Sequence, residues 1–164
     1  MGEAKAAAGA LSAATRFGTA RRMPNEPVVE HAGGPRLIEL PLRRDARGSL
    51  TFLEHGAQVP FEIRRVFYIF DVTAGATRAD HAVNDVDEVV IAVSGRFDVV
   101  TVDGSTRQEF TLARPTEGLF IPGRAWRTLA GFSDGAVCLV LASTRYDASV
   151  YRSANATPRA AHKN

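Results

Sequence analysis

A chain of 164 residues is long enough for one domain with a real core. Its 45% apolar and 23% charged content is that of a soluble globular protein. A net charge of +2 and a pI near 9.0, without any Lys/Arg stripe, are too mildly basic to imply nucleic acid and suit an anionic metabolite.

Residues 1–34 are Ala-rich and then polar, closing on Gly33-Gly34, and read as a flexible tail. From Arg36 the pattern changes to short β-prone runs broken by turns. The runs are 36–42, 49–55, 64–72, 87–93, 96–102, 107–112, 118–122, 125–132 and 136–143. Asp45-Ala46-Arg47-Gly48 marks one turn, and Asp103-Gly104 is a strong hairpin signal. The run 87–93 is apolar from Val89 onward, as a buried strand is. About ten strands at spacings of roughly 8–12 residues predict an all-β sandwich or barrel. Residues 35–152 are read as its single domain and 153–164 as a frayed C-terminal tail.

The lone cysteine, Cys138, sits in an apolar run and is expected to be a buried core thiol. No apolar run approaches the roughly 18 residues of a membrane span. The N-terminal stretch lacks the flanks of a secretory signal, so a cytoplasmic location is expected.

The chemistry concentrates between Gly75 and Gly95. The spacing is Gly75, five residues, His81, one residue, Val83, four residues, Glu88, six residues and Gly95. This resembles the first motif of the cupins, in which a second histidine stands at the position of Val83. A second stretch, Pro122-Gly123-Arg124-Ala125-Trp126-Arg127, resembles the second cupin motif, with Arg127 where that motif keeps a histidine. The resemblance implies a jelly-roll barrel with His81 and Glu88 pointing into a ligand cavity. Of the four ligand positions only His81 and Glu88 keep metal-binding side chains. A stable divalent site needs three or more protein ligands, so no metal and no other cofactor is expected.

From Arg36 to Tyr151 the chain resembles the WxcM-like branch of the cupins. The residues that carry this are Asp45-Ala46-Arg47-Gly48-Ser49-Leu50, Glu54, Pro60-Phe61, Arg64 to Asp71, Arg78 with His81-Ala82, Val102-Asp103-Gly104, Gly118-Leu119, Trp126, and Leu141-Ala142-Ser143 with Tyr146-Asp147. The resemblance implies a 3,4-ketoisomerase of a dTDP-4-keto-6-deoxyhexose, acting in deoxysugar assembly as a cytoplasmic homodimer. His81 would be the base, a role suited to imidazole. Tyr68, were it to face the pocket, or water would carry protons between the sugar oxygens. Arg65 and Arg78 would grip the diphosphate through guanidinium forks. Trp126 would line the pocket wall, or simply pack in the core. Arg127 would clamp an anion or carbonyl, or pair with Glu88 as a salt bridge. His31, His55 and His162 lie outside the motif and are read as solvated.

The departures fall at the expected pocket. The branch reads Arg-Gly-x-His-Ala-His-Lys where this chain reads Arg78-Ala79-Asp80-His81-Ala82-Val83-Asn84. Glu88 replaces a common glutamine. Two other readings therefore stand beside the isomerase. One is a non-catalytic cupin that binds a nucleotide sugar, and the other a pocket repurposed for epimerisation, dehydration or cyclisation.

Overall fold

The computed structural model describes residues 33–83 and 85–148, and the backbone of 151–153. These residues form twelve strands: β1 (Arg36–Glu39), β2 (Leu42–Asp45), β3 (Gly48–Thr51), β4 (Arg65–Ile69), β5 (Arg78–Val83), β6 (Glu88–Ser94), β7 (Phe97–Asp103), β8 (Thr106–Leu112), β9 (Glu117–Ile121), β10 (Trp126–Ala130), β11 (Val137–Ala142) and β12 (Tyr151–Ser153). One five-stranded sheet runs β1-β9-β6-β11-β4, and a second runs β12-β5-β10-β7-β8. Every ladder in both sheets is antiparallel. The all-β cupin jelly roll expected from the sequence is the fold observed. Among the described residues there is no helix long and apolar enough to cross a membrane.

Alternation decides which side chains meet between the sheets. Phe97, Val99, Leu129, Leu119, Val90 and Val140 face inward and form the main core with Cys138, which is buried as expected. Within β6 the stretch 89–92 is apolar because both of its faces are covered. Val90 and Ala92 face the interior, while Val89 and Ile91 lie under Leu53, Val59, Phe61 and Ile63 on the outer side. Those covering residues come from the segment between β3 and β4, so the expected strand 49–55 ends early, at Thr51. The expected strand 36–42 is also broken. Leu40 donates its N–H to Thr116 O at 2.9 Å, and Pro41 has no N–H to continue a ladder.

Two glycines place the motif segments. Gly95 ends β6 at φ 65°, where a Cβ would sit 2.7 Å from the Ala136 Cα. A Cβ on Gly123 would lie 2.5 Å from Val86 N and 2.9 Å from Asp85 N. The second motif thus packs directly on the loop joining β5 to β6. Gly123 N–H donates to Asp87 Oδ1 at 3.0 Å, and Asp87 N–H donates to Ser143 Oγ at 2.9 Å. The three segments around the site are locked together by these bonds.

Candidate active site

Two rows of side chains face one another at one level of the barrel. In the first sheet Arg65 pairs with Ala142, Ala142 with Glu88, and Glu88 with Ile121. In the second, His81 pairs with Arg127 and Arg127 with Thr101. The rows are joined across the barrel. Arg127 Nη1 donates to Glu88 Oε2 at 2.6 Å, with Arg127 1% and Glu88 4% exposed. Arg127 Nη2 donates to the carbonyls of Ala125 at 3.0 Å and Pro122 at 3.2 Å. Of the two roles open to Arg127 from sequence, the ion pair with Glu88 is the one formed. Each charge is desolvated and offset by the other, with the two carbonyls adding support to Arg127.

His81 is half-buried beside this pair. Its Nδ1 lies 3.0 Å from Ala79 O. A carbonyl can only accept, so Nδ1 carries the proton and the neutral ring holds its basic lone pair on Nε2. Burial lowers the imidazole below its usual value, and the Arg127 charge adds to that. Glu88, the Ala79 carbonyl and Asp80 oppose it. The net effect is a neutral ring at pH 7, which is the form a general base requires. Val83 is 0% exposed and packs with Val86, Ala142 and Phe67, so the second histidine position is plain core here.

Arg65 lies on the Glu88 row. Its Nε and Nη2 are shielded from solvent and have no hydrogen-bond partner among the described residues. Its Cζ stands 5.1 Å from the Phe67 ring centre and 5.6 Å from that of Tyr146. Tyr146 also lines a cleft of about 660 Å³ with Val86, Thr144 and Arg145. Arg78 is elsewhere. It is exposed and lines a shallow cleft of about 280 Å³ with residues 68–73 and 76–77, beyond the far end of β4. The two arginines expected to grip one diphosphate are therefore not brought together within this chain.

Two aromatic expectations are also corrected. Tyr68 faces away from the barrel interior and is 63% exposed, because Arg65, Phe67 and Ile69 occupy the inward positions of β4. It is not placed to shuttle protons to His81 in this chain. Trp126 alternates with the inward Arg127, so it lies on the outer face of β10, where its Nε1–H donates to Thr128 Oγ1 at 3.3 Å. His55 is exposed, and His31 and His162 lie outside the described residues. Thr101 was not singled out from sequence. Its hydroxyl is buried beside Arg127 without a partner among the described residues, as is Arg127 Nε. The signal was present in the 97–103 run, where alternation puts Phe97, Val99 and Thr101 on one face.

The profile of the family described as "FdtA: WxcM-like, C-terminal" matches residues 33–157. The chain belongs to the WxcM-like family. It is 38% identical over 107 residues to the TDP-4-oxo-6-deoxy-alpha-D-glucose-3,4-oxoisomerase of Aneurinibacillus thermoaerophilus, spanning 65% of this chain and 77% of that protein. Its fold matches the WlaRB TDP-quinovose 3,4-ketoisomerase of Campylobacter jejuni with a TM-score of 0.69 and 44% identity, over 71% of this chain and 90% of the other. It also matches a histidine-to-asparagine mutant of the 3,4-ketoisomerase QdtA from Thermoanaerobacterium thermosaccharolyticum in complex with TDP-4-keto-6-deoxyglucose. That match has a TM-score of 0.70 and 32% identity, over 73% and 86% of the two chains.

Within this WxcM-like protein the residues at the cupin metal positions do not fit a metal. Val83 has no donor atom, Arg127 is a cation, and Glu88 is already engaged by that cation. Among the described residues no three His, Cys, Asp or Glu side chains cluster as ligands. The interior instead offers one neutral imidazole beside the closed Arg127–Glu88 pair. That arrangement suits proton abstraction next to a carbonyl.

Proposed function

We propose that this WxcM-like protein is a 3,4-ketoisomerase of a dTDP-linked 4-keto-6-deoxyhexose, serving deoxysugar assembly. The observation that carries the reading is His81, held as a neutral Nδ1–H imidazole inside the barrel beside Arg127. The relatives reported above, each named as an isomerase of this type, supply the substrate class.

In this reading Nε2 of His81 takes the proton from C3, and the C4 ketone becomes an enediol hydroxyl. The O3 hydroxyl then loses its proton as C3 becomes the ketone, and C4 gains one. The negative charge that builds on the enediolate is balanced by the imidazolium His81 becomes on taking the proton, while Arg127 stays paired with Glu88. Val83 carries no proton, so transfer between the two oxygens falls to solvent. Arg65 supports binding of the diphosphate, since its Nε and Nη2 donors are otherwise unused. Residues 35–152 act as the single domain, in a cytoplasmic homodimer. The exposed Val66 and Tyr68 on the edge strand β4, with the exposed Phe70 just beyond its end, favour the dimer.

Incubation with dTDP-4-keto-6-deoxyglucose in D₂O tests the reaction. Deuterium should enter the ring carbons, and His81→Asn should slow that entry by about 10²–10⁴-fold. Val83→His, restoring the missing partner, should speed it. The burial of Val83 favours a second reading, a nucleotide-sugar binder without turnover. That reading takes over if neither wild type nor Val83→His exchanges deuterium while dTDP still binds.

A further inference from the structure

The start of β5 is held in an unusual backbone conformation. Ala79 and Asp80 are consecutive non-glycine residues with φ of 63° and 59°. L side chains avoid this region, so a neighbouring contact must hold the pair there. Register against β10 shifts at this point. His81 pairs with Arg127 and Ala79 with Thr128, leaving Asp80 as the extra residue of a bulge. The bulge is what turns the Ala79 carbonyl back to His81 Nδ1, 3.0 Å away. On the opposite face of the sheet, Thr128 Oγ1 donates to Asp80 Oδ1 at 3.1 Å, and Trp126 Nε1–H donates to Thr128 Oγ1 at 3.3 Å.

We propose that Asp80, Thr128 and Trp126 are positioning residues, an outer latch that holds the Ala79–Asp80 bulge so that the Ala79 carbonyl fixes His81 in its Nδ1–H tautomer. The chain of donors runs one way, from indole to hydroxyl to carboxylate. Asp80 anchors the strained residue from outside while His81 reads its neighbour's carbonyl from inside. Without the latch the bulge can relax toward ordinary strand geometry, which carries the carbonyl off Nδ1. The ring then loses the contact that places the lone pair on Nε2. The consequence for turnover rests on the reading of His81 as the base.

Nitrogen-15 NMR of histidine-labelled protein above pH 8, where imidazoles are neutral, reports the tautomer without any substrate. The His81 signal is assigned by its loss in His81→Asn. Wild type should show Nδ1–H, and the near-isosteric Thr128→Val should shift the ring toward Nε2–H. Thr128→Ser and Asp80→Asn, which keep the hydroxyl and the acceptor, should return it. With dTDP-4-keto-6-deoxyglucose, Thr128→Val should lower kcat by roughly 10- to 100-fold, the scale for losing a partner that orients a functional histidine, with KM unchanged. Retention of Nδ1–H in both Thr128→Val and Asp80→Ala overturns the latch, whatever the activity. An inactive wild type that shows the Nδ1–H form, lost in Thr128→Val, supports the latch and sinks the isomerase reading instead.

Discussion

Removing Arg127 tests how the barrel is held closed at the level of the site. Arg127→Met takes away a guanidinium that is 1% exposed and leaves Glu88, 4% exposed, as a buried charge with no counterion. It also strips the Pro122 and Ala125 carbonyls of their donor. Removing one partner of a buried pair typically costs about 3–5 kcal/mol, a large part of the roughly 5–15 kcal/mol that stabilises a domain. Glu88→Leu should cost a similar amount, because it strands the cation. The double variant Glu88→Leu/Arg127→Met leaves no unpaired charge and should be more stable than either single variant. Urea unfolding followed by far-ultraviolet circular dichroism measures all four proteins. With a slope of about 2 kcal/mol per molar, a loss of about 4 kcal/mol lowers the midpoint by about 2 M. Single variants within about 1 kcal/mol of wild type, or a double variant no better than the weaker single, would refute the reasoning.

His81 is depressed below the usual 6.5 by burial first, so the fold favours its neutral form. The stability this group contributes is complete above pH 6.5 and is lost as the pH falls from there toward the folded value; His81→Asn should flatten that part of a stability–pH curve. For the same reason the acid limb of kcat/KM should lie below pH 6.5, and a limb above it would contradict the burial of the ring. Ala79→Gly relieves a φ of 63° and should stabilise the protein by about 1 kcal/mol in the same urea assay, whereas a loss would show that the bulge is unstrained. The Cys138 thiol is buried and pushed up to about 12 by desolvation, so a thiol reagent at pH 8 should label it only after denaturant is added.

Much of this protein is decided locally and is therefore legible in sequence. The Asp103-Gly104 turn sets a hairpin because Gly104 accepts φ 61° without a Cβ clash, and β7 and β8 pair around it as expected. Alternation assigns Phe97, Val99 and Thr101 to one face of β7, and the spacing from Gly75 to Gly95 places His81 and Glu88 on adjoining segments. Period two says that a strand has two faces, but not which one is interior. Tyr68 is as β-prone as Phe67 and Ile69, and Trp126 is more apolar than the inward Arg127, so only the sheet packing turned them outward. The salt bridge of Arg127 with Glu88 joins residues 39 apart, and its choice over a free anion clamp depends on two sheets meeting at one level. The bulge at Ala79 and Asp80 leaves no mark in composition or periodicity, because it is imposed by contacts with β10. Backbone preference and alternation act between near neighbours, and the chain carries them with it. The partner of a buried charge, the inward face of a strand and the tautomer of a histidine are set by atoms that only the closed barrel brings within reach.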